Sequence, residues 1–323
     1  MVRETRMNRI ALIGAVGALG RSIANALDKQ GREYRVVGRN RASLEATFGR
    51  SKGVEIATWD PDDPASLRSA VRGADMLVYL VGVPYNQFQL HPVLMRKTLE
   101  GAISEGVERL LLIGTVYPYG RPRATPIKEN HPREPHTFKG QMRKEQEDLV
   151  LSADAAGKIR GTILRLPDFY GPNVERSFLD SLFQAAARGG TASLIGPIDT
   201  PHEFVYVPDV GTVVIQLADR SDAYGRAWHL AGAGAVTQRD LAERVFRMAG
   251  SKPRLRVAGK NTLRVLGLFN PLMRELVEMN YLLTTPVVLD DSLLRGLLGE
   301  ISKTPYDEGL RASLNAARKR TSG

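Results

Sequence analysis

The sequence predicts an α/β fold: a Rossmann-type, doubly wound parallel sheet with a small mixed C-terminal lobe. Three observations lead there. Gly14, Gly17 and Gly20 stand at three-residue intervals between an apolar strand and an amphipathic helix. Strand and helix patterns then alternate as far as Leu166. Beyond Leu166, Pro and Gly become frequent and the elements shorten.

The first strand is the apolar run Arg9-Ile10-Ala11-Leu12-Ile13. The turn Gly14-Ala15-Val16-Gly17-Ala18-Leu19-Gly20 follows it. Leu19, Ile23 and Leu27 then share one helical face. In such a turn the first glycine permits the tight bend and the second lets a pyrophosphate approach the backbone. The third lets helix and strand pack closely. The phosphates sit on the helix N-terminus, so residues 14–20 are candidate dinucleotide contacts.

Further strands are expected at 34–37, 54–58, 76–81, 109–113 and 162–166, with helices near 41–48, 64–72, 91–105 and 138–156. Asp63 before Pro64 reads as an N-cap with proline at the first helical position. Alternating strand–helix units imply a parallel sheet covered on both faces, with ligands at the carboxyl ends of its strands. In the second half, strands are expected near 203–207 and 226–231, and helices near 175–188, 209–219, 237–249 and 271–283. This divides the chain into a nucleotide-binding domain at 1–170 and a substrate lobe at 171–323. Some elements of the lobe, at about 203–231, return to the sheet. The proline-rich stretch 118–135 reads as a surface loop near the site.

Composition bounds the function. A chain of 323 residues with 43% hydrophobic and 25% charged residues is an ordinary globular composition. The net charge of +10 comes from scattered residues, with Arg318-Lys319-Arg320 the one tight terminal run. It suits anionic cofactors and substrates better than a nucleic acid, and no nucleic-acid partner is expected. No cysteine is present, which excludes disulfides and thiolate chemistry and fits a cytoplasmic location. Arg3, Arg6 and Arg9 precede an apolar stretch, but Gly14, Gly17 and Gly20 interrupt it, so no signal peptide is read there. No apolar run is long enough to span a bilayer, and no membrane partner is expected. His91, His131, His136, His202 and His229 lack metal-ligand spacing, so no metal is expected.

The second predicted strand ends Val36-Val37-Gly38-Arg39-Asn40-Arg41, where the adenosine ribose of a dinucleotide would lie. There is no acid to accept from a ribose 2′-hydroxyl, while Arg39 and Arg41 suit a 2′-phosphate. NADP is therefore preferred over NAD. Asp60 is placed at the adenine amino group, and Val81-Gly82-Val83 against the ribose and pyrophosphate.

Several stretches resemble the extended short-chain dehydrogenase/reductases, also called NAD-dependent epimerase/dehydratases. Besides the glycine turn, these are 71–75 (VRGAD), 115–120 (TVYPYG), 126–129 (PIKE), 164–172 (LRLPDFYGP), 204–210 (FVYVPDV) and 304–310 (TPYDEGL). They span about residues 8 to 315 in the family's order. The resemblance implies a nicotinamide cofactor, a small-molecule substrate and a homodimer formed by helices beside the fourth and fifth strands. It places Leu166, Pro167 and Phe169 against the cofactor. It places Tyr85, Asn86, Tyr117, Asp168, His202 and Glu203 toward the substrate. Glu203 stands where many relatives carry an arginine for a sugar-nucleotide phosphate, which argues against that substrate class.

The family's usual catalytic tyrosine, with lysine four residues later, is absent. Alignment of the helix after the fifth strand puts Lys139 at the tyrosine position and Arg143 at the lysine position. Thr115 lies near the usual serine or threonine, although Ile113 or Gly114 aligns better. Three readings follow. Lys139 is the acid or base, with Arg143 clamping the ribose, since an amine in a dry pocket beside a cation titrates near neutrality. Alternatively, Tyr117, Tyr119, His136 or Asp168 moves the proton. In the third, there is no proton relay and the chain binds nucleotide without turnover. The expected reaction is hydride transfer at a carbonyl or alcohol carbon. The alternatives are a non-catalytic NADP(H)-binding regulator and a nucleotide-sugar epimerase or dehydratase.

Overall fold

The computed structural model describes residues 9–175 and 177–322; Arg3 and Arg6 lie outside them. The first half builds β1 (Ile10–Ile13), α1 (Ala18–Lys29), β2 (Tyr34–Gly38), α2 (Arg41–Phe48), β3 (Val54–Thr58) and α3 (Pro64–Val71). It continues with β4 (Met76–Tyr79), α4 (Leu90–Ser104), β5 (Arg109–Thr115), α5 (Phe138–Ala155) and β6 (Arg160–Leu166). Asp63 caps α3 through its carboxylate, which accepts from the Ala65 N–H.

The second half contains β7 (Asp168–Tyr170), α6 (Asp180–Arg188), β8 (Ala192–Ile195), β9 (His202–Tyr206), α7 (Val207–Asp219) and β10 (Ala227–His229). After these come β11 (Ala235–Val236), α8 (Gln238–Met248), β12 (Leu255–Ala258), α9 (Lys260–Leu266) and α10 (Pro271–Met279). The last elements are α11 (Tyr281–Thr284), α12 (Ser292–Leu298) and α13 (Tyr306–Ser322). The helix read at 271–283 is broken at Asn280, whose side-chain amide turns away to donate to the Gly196 carbonyl at 3.0 Å.

The seven-stranded sheet runs β10-β6-β5-β4-β1-β2-β3, and every pair in it is parallel. The strand order reverses between β1 and β4, the point where such sheets open a ligand crevice. Along β5, Leu110 and Leu112 pack with α3 and α4, while Leu111 and Ile113 pack with α1 and α7. Burial on both faces explains why these strands read as continuous apolar runs. From the 203–231 stretch, β10 joins this sheet and α7 covers it against α1. β9 pairs instead with β7 and β11 in a mixed three-stranded sheet. β8 and β12 form a parallel pair.

The helix layers close by backbone contact. A Cβ on Gly211 of α7 would stand 2.2 Å from the Ser22 carbonyl of α1. The Ser22 hydroxyl donates to the Val207 carbonyl at 2.7 Å and accepts from the Gly211 N–H.

A buried polar network ties α5 to the sheet. Arg165 of β6 donates to both carboxylate oxygens of Glu147 of α5, at 3.0 and 2.6 Å. It also donates to the Tyr119 hydroxyl, which in turn contacts His229 Nε2 of β10. His229 Nδ1 faces the Asp290 carbonyl at 3.1 Å, which makes Nδ1 the protonated nitrogen and Nε2 the acceptor from Tyr119.

Glu147→Gln leaves the buried Arg165 charge without its counter-ion. Equilibrium unfolding should show a loss of about 3–5 kcal/mol.

Candidate functional site

The nucleotide turn has the three properties the sequence asks of it. Gly14 has φ +87°, and a Cβ there would meet the Val81 backbone at 2.9 Å. Its N–H donates to the Val37 carbonyl at 2.9 Å, tying the turn to β2. Gly17 is exposed, and a Cβ placed on it would find nothing within 4 Å, so a ligand can approach its backbone. A Cβ on Gly20 would lie 2.0 Å from the Ala15 carbonyl. Gly17 caps α1 with no side-chain hydrogen bond, which leaves the first-turn N–H groups of Ala18, Leu19 and Gly20 for an anion. Ala15 is buried, and Val16 and Leu19 pack against the core. The chain therefore fits the pyrophosphate of a dinucleotide.

At the β2 tip, Arg39 is exposed, while Arg41 pairs with Glu45 at 3.4 Å. Asn40 caps α2, accepting from the Ser43 N–H. Asp60 is exposed, and its carboxylate accepts from the Asp62 N–H within its own turn. Val81 and Val83 are half-buried beside β4, and Gly82 between them is exposed. Leu166 and Pro167 are buried, and Phe169 is half-buried against the core of the α1 face.

Beyond β5 the polar side chains converge. The Thr115 hydroxyl accepts from the Tyr117 N–H at 3.3 Å and steadies the short 3₁₀ turn that follows. Tyr117 is buried, with its hydroxyl 3.1 Å from that of Tyr85. Burial pushes the Tyr117 phenol well above its ordinary pKa, and Tyr85 and Asp168 add to the rise. Arg143 is buried, donating to the Ile113 carbonyl at 3.0 Å and to His91 Nδ1 at 3.2 Å. Burial, followed by the Arg143 charge, lowers the His91 pKa to about 2.

Lys139 is almost wholly enclosed. Its ammonium donates to Glu275 and Glu278 of α10, the latter at 2.6 Å, and lies 5.8 Å from the Tyr85 ring and 5.7 Å from the Phe88 ring. Glu278 also accepts from the Lys139 N–H. The free-amine reading needs a cationic neighbour, whereas the groups facing the amine here are two carboxylates. Neither acid was among the sequence candidates. The available signal was the recurrence of Glu275 and Glu278 three residues apart within the helix expected near 271–283.

On the lobe side, His202 Nε2 and Asp168 Oδ2 are 2.7 Å apart. The adjacent Glu203 points to the opposite face of β9, where its carboxylate accepts from the Leu289 N–H at 3.0 Å. Burial raises its pKa. Glu203 lines a separate open groove of about 740 Å³ with Asp290, Asp291, Arg295 and Lys303. The structure thus brings Tyr85, Tyr117, Lys139 and Arg143 together, and sets Glu203 apart. Asn86 lies exposed in the 3₁₀ turn that carries Tyr85. His136 is exposed, edge-on to the Tyr281 ring at 4.6 Å. Among the described residues, no cluster of three His, Cys, Asp or Glu could hold a metal ion, and no helix is long and apolar enough to cross a membrane.

A sequence profile described as the NAD dependent epimerase/dehydratase family matches residues 10–231. The chain belongs to that family. It is 28% identical over 261 residues to a dTDP-6-deoxy-L-talose 4-dehydrogenase (NAD(P)(+)) of Kitasatospora kifunensis, covering 76% of this chain and 81% of the relative. It is also 28% identical over 144 residues to a probable dTDP-4,6-dihydroxy-2-methyloxan-3-one 4-ketoreductase of Streptomyces antibioticus, covering 45% and 46%. Among solved structures it resembles a dTDP-glucose 4,6-dehydratase of Streptomyces venezuelae, with a TM-score of 0.82, 18% identity and coverage of 97% and 98%. That last likeness establishes the fold. The family is NAD-dependent, which agrees with the nucleotide turn.

Gly17→Asp tests the turn without disturbing it, because its extended backbone (φ −68°, ψ 171°) and open surroundings accept a side chain. A carboxylate there would face the pyrophosphate, and NAD(P)H affinity should fall at least about a hundredfold with an unchanged melting curve. The acid limb of stability should report His91, whose folded-state value lies below its unfolded one. Its contribution is whole above about pH 6.5 and is lost at up to about 1.4 kcal/mol per pH unit as pH falls. In His91→Gln, melting measured against pH should show an acid slope shallower by up to one proton.

Proposed function

We propose that this chain is an NADP(H)-preferring oxidoreductase that exchanges a hydride with a carbonyl or alcohol carbon of a small organic molecule. The observation that carries the reading is the enclosed Tyr117–Tyr85 hydroxyl pair beside Arg143 at the carboxyl end of β5, within a family built on NAD. When bound, the reduced nicotinamide supplies the hydride. Because burial keeps the Tyr117 phenol protonated at neutral pH, it is suited to donate a proton to the developing alkoxide rather than to remove one. Tyr85 holds the Tyr117 hydroxyl in place. Lys139 is assigned a positioning role, holding α10 over the site through Glu275 and Glu278. The exposed Arg39, which makes no ion pair among the described residues, is assigned to the 2′-phosphate, with Arg41 beside it. The activities that name the two sequence relatives, a dehydrogenation and a ketone reduction, support net oxidoreduction over epimerisation.

A second reading, NADP(H) binding without turnover, is favoured by one observation: the ammonium at the family's proton-transfer position is already taken up by two carboxylates. The two readings part on kinetics. Tyr117→Phe should keep NADPH binding and lose about 10²–10⁴-fold in kcat. Lys139→Met should lose chiefly thermal stability. The reverse pattern would move the acid to Lys139, and no turnover across a broad carbonyl panel by NADPH-loaded protein would favour the second reading.

In a nicotinamide-fluorescence titration, Arg39→Ala should weaken NADPH by about tenfold or more and leave NADH unchanged. Equal binding of both cofactors by the unmodified chain would overturn the NADP preference.

A further inference from the structure

Five of the nine exposed large apolar side chains among the described residues fall within residues 265–272. They belong to one helical hairpin, α9 and α10, whose tip carries Leu268 at 79% and Phe269 at 87% exposure, flanked by Leu266 and Leu272. The two helices approach closely at Gly267, where a Cβ would lie 3.0 Å from the Arg274 Cα. The apolar residues are therefore held on a folded support. Apolar side chains of this size, clustered and unpacked, mark a docking surface.

The charge around the tip identifies the occupant. Residues 252–274 hold six cations, Lys252, Arg254, Arg256, Lys260, Arg264 and Arg274, and no acid. None of the six makes an ion pair among the described residues; Arg264 does donate to the Asn261 amide oxygen, at 3.3 Å. Exposed leucine and phenylalanine in a segment whose only charges are Lys and Arg match the interfacial region of an anionic lipid bilayer, where apolar groups enter the acyl boundary and cations meet headgroups. A second copy of this chain on the same face would oppose two basic surfaces, because a two-fold contact repeats the same patch on both sides.

We infer that the α9–α10 hairpin docks this protein on an anionic membrane surface. This concerns peripheral contact, not a membrane-spanning helix. The hairpin also faces the site. The first turn of α10 carries the exposed Leu272, and Glu275 and Glu278 further along the same helix hold Lys139. Docking would place the enclosed site next to the bilayer. The inference stands whether or not the assigned chemistry is correct.

The test is flotation of the full chain with vesicles of phosphatidylcholine alone and of phosphatidylcholine with roughly one-third phosphatidylglycerol. Binding to the anionic vesicles should exceed binding to the neutral ones by at least about tenfold at low salt, and should fall as salt is added. The double variant Leu268→Asp/Phe269→Asp, altered only at exposed positions, should lose about tenfold of that binding while NADPH affinity and melting stay unchanged. Lys260→Glu/Arg264→Glu should lose it as well with the apolar tip intact. Failure of the unmodified chain to float, or equal flotation of the Asp double variant, would overturn the inference. So would light scattering that finds a dimer dissociated by the Asp pair with no vesicle binding, since the tip would then be a contact between copies.

Discussion

The bidentate contact between Arg165 and Glu147 sets the geometry on which the site depends. Glu147 lies eight residues after Lys139 and four after Arg143 on α5, so all three fall on nearly one helical face. Anchoring Glu147 to β6 fixes the rotation of α5 and turns that face toward the end of β5. The same arginine reaches Tyr119, and through it His229 on the edge strand β10. One network therefore ties together the helix of the candidate site, the loop after β5 and the last strand of the sheet. Two buried charges are costly to desolvate. Here the cost is offset by a filled set of hydrogen bonds in a region of low dielectric.

Backbone contact imposes a second constraint. Gly20 against Ala15 and Gly211 against Ser22 bring α1 close to the turn after β1 on one side and to α7 on the other. The nucleotide turn is thus held between the sheet and a helix contributed by the second half of the chain. That arrangement keeps the first-turn N–H groups of α1 aimed at one point, as recognition of a diphosphate requires. The turn needs no acid or base of its own, since aligned backbone dipoles supply the field.

The helix α10 couples two regions of different character. Its acids neutralise the one lysine enclosed in the site, and its N-terminal end adjoins the exposed apolar tip of the hairpin. The acids are needed inside, where an unpaired ammonium would be costly. The preceding 252–274 segment holds six cations and no acid.

The sequence by itself determined the succession of strands and helices in the first half, the glycine turn and the family. Each rests on local rules: a helix or strand period, a cap such as Asp63, or a glycine where the backbone must bend. β7, β8, β11 and β12 were not legible, being two to four residues long and held by pairing with distant strands. The tertiary structure alone decided what meets Lys139. Its partners lie 136 and 139 residues away, and nothing in the composition of either segment names the other. It likewise decided that His202 and Glu203, adjacent in sequence, serve different surroundings. Local sequence sets the period of an element, but the partner of each side chain depends on which element packs against it.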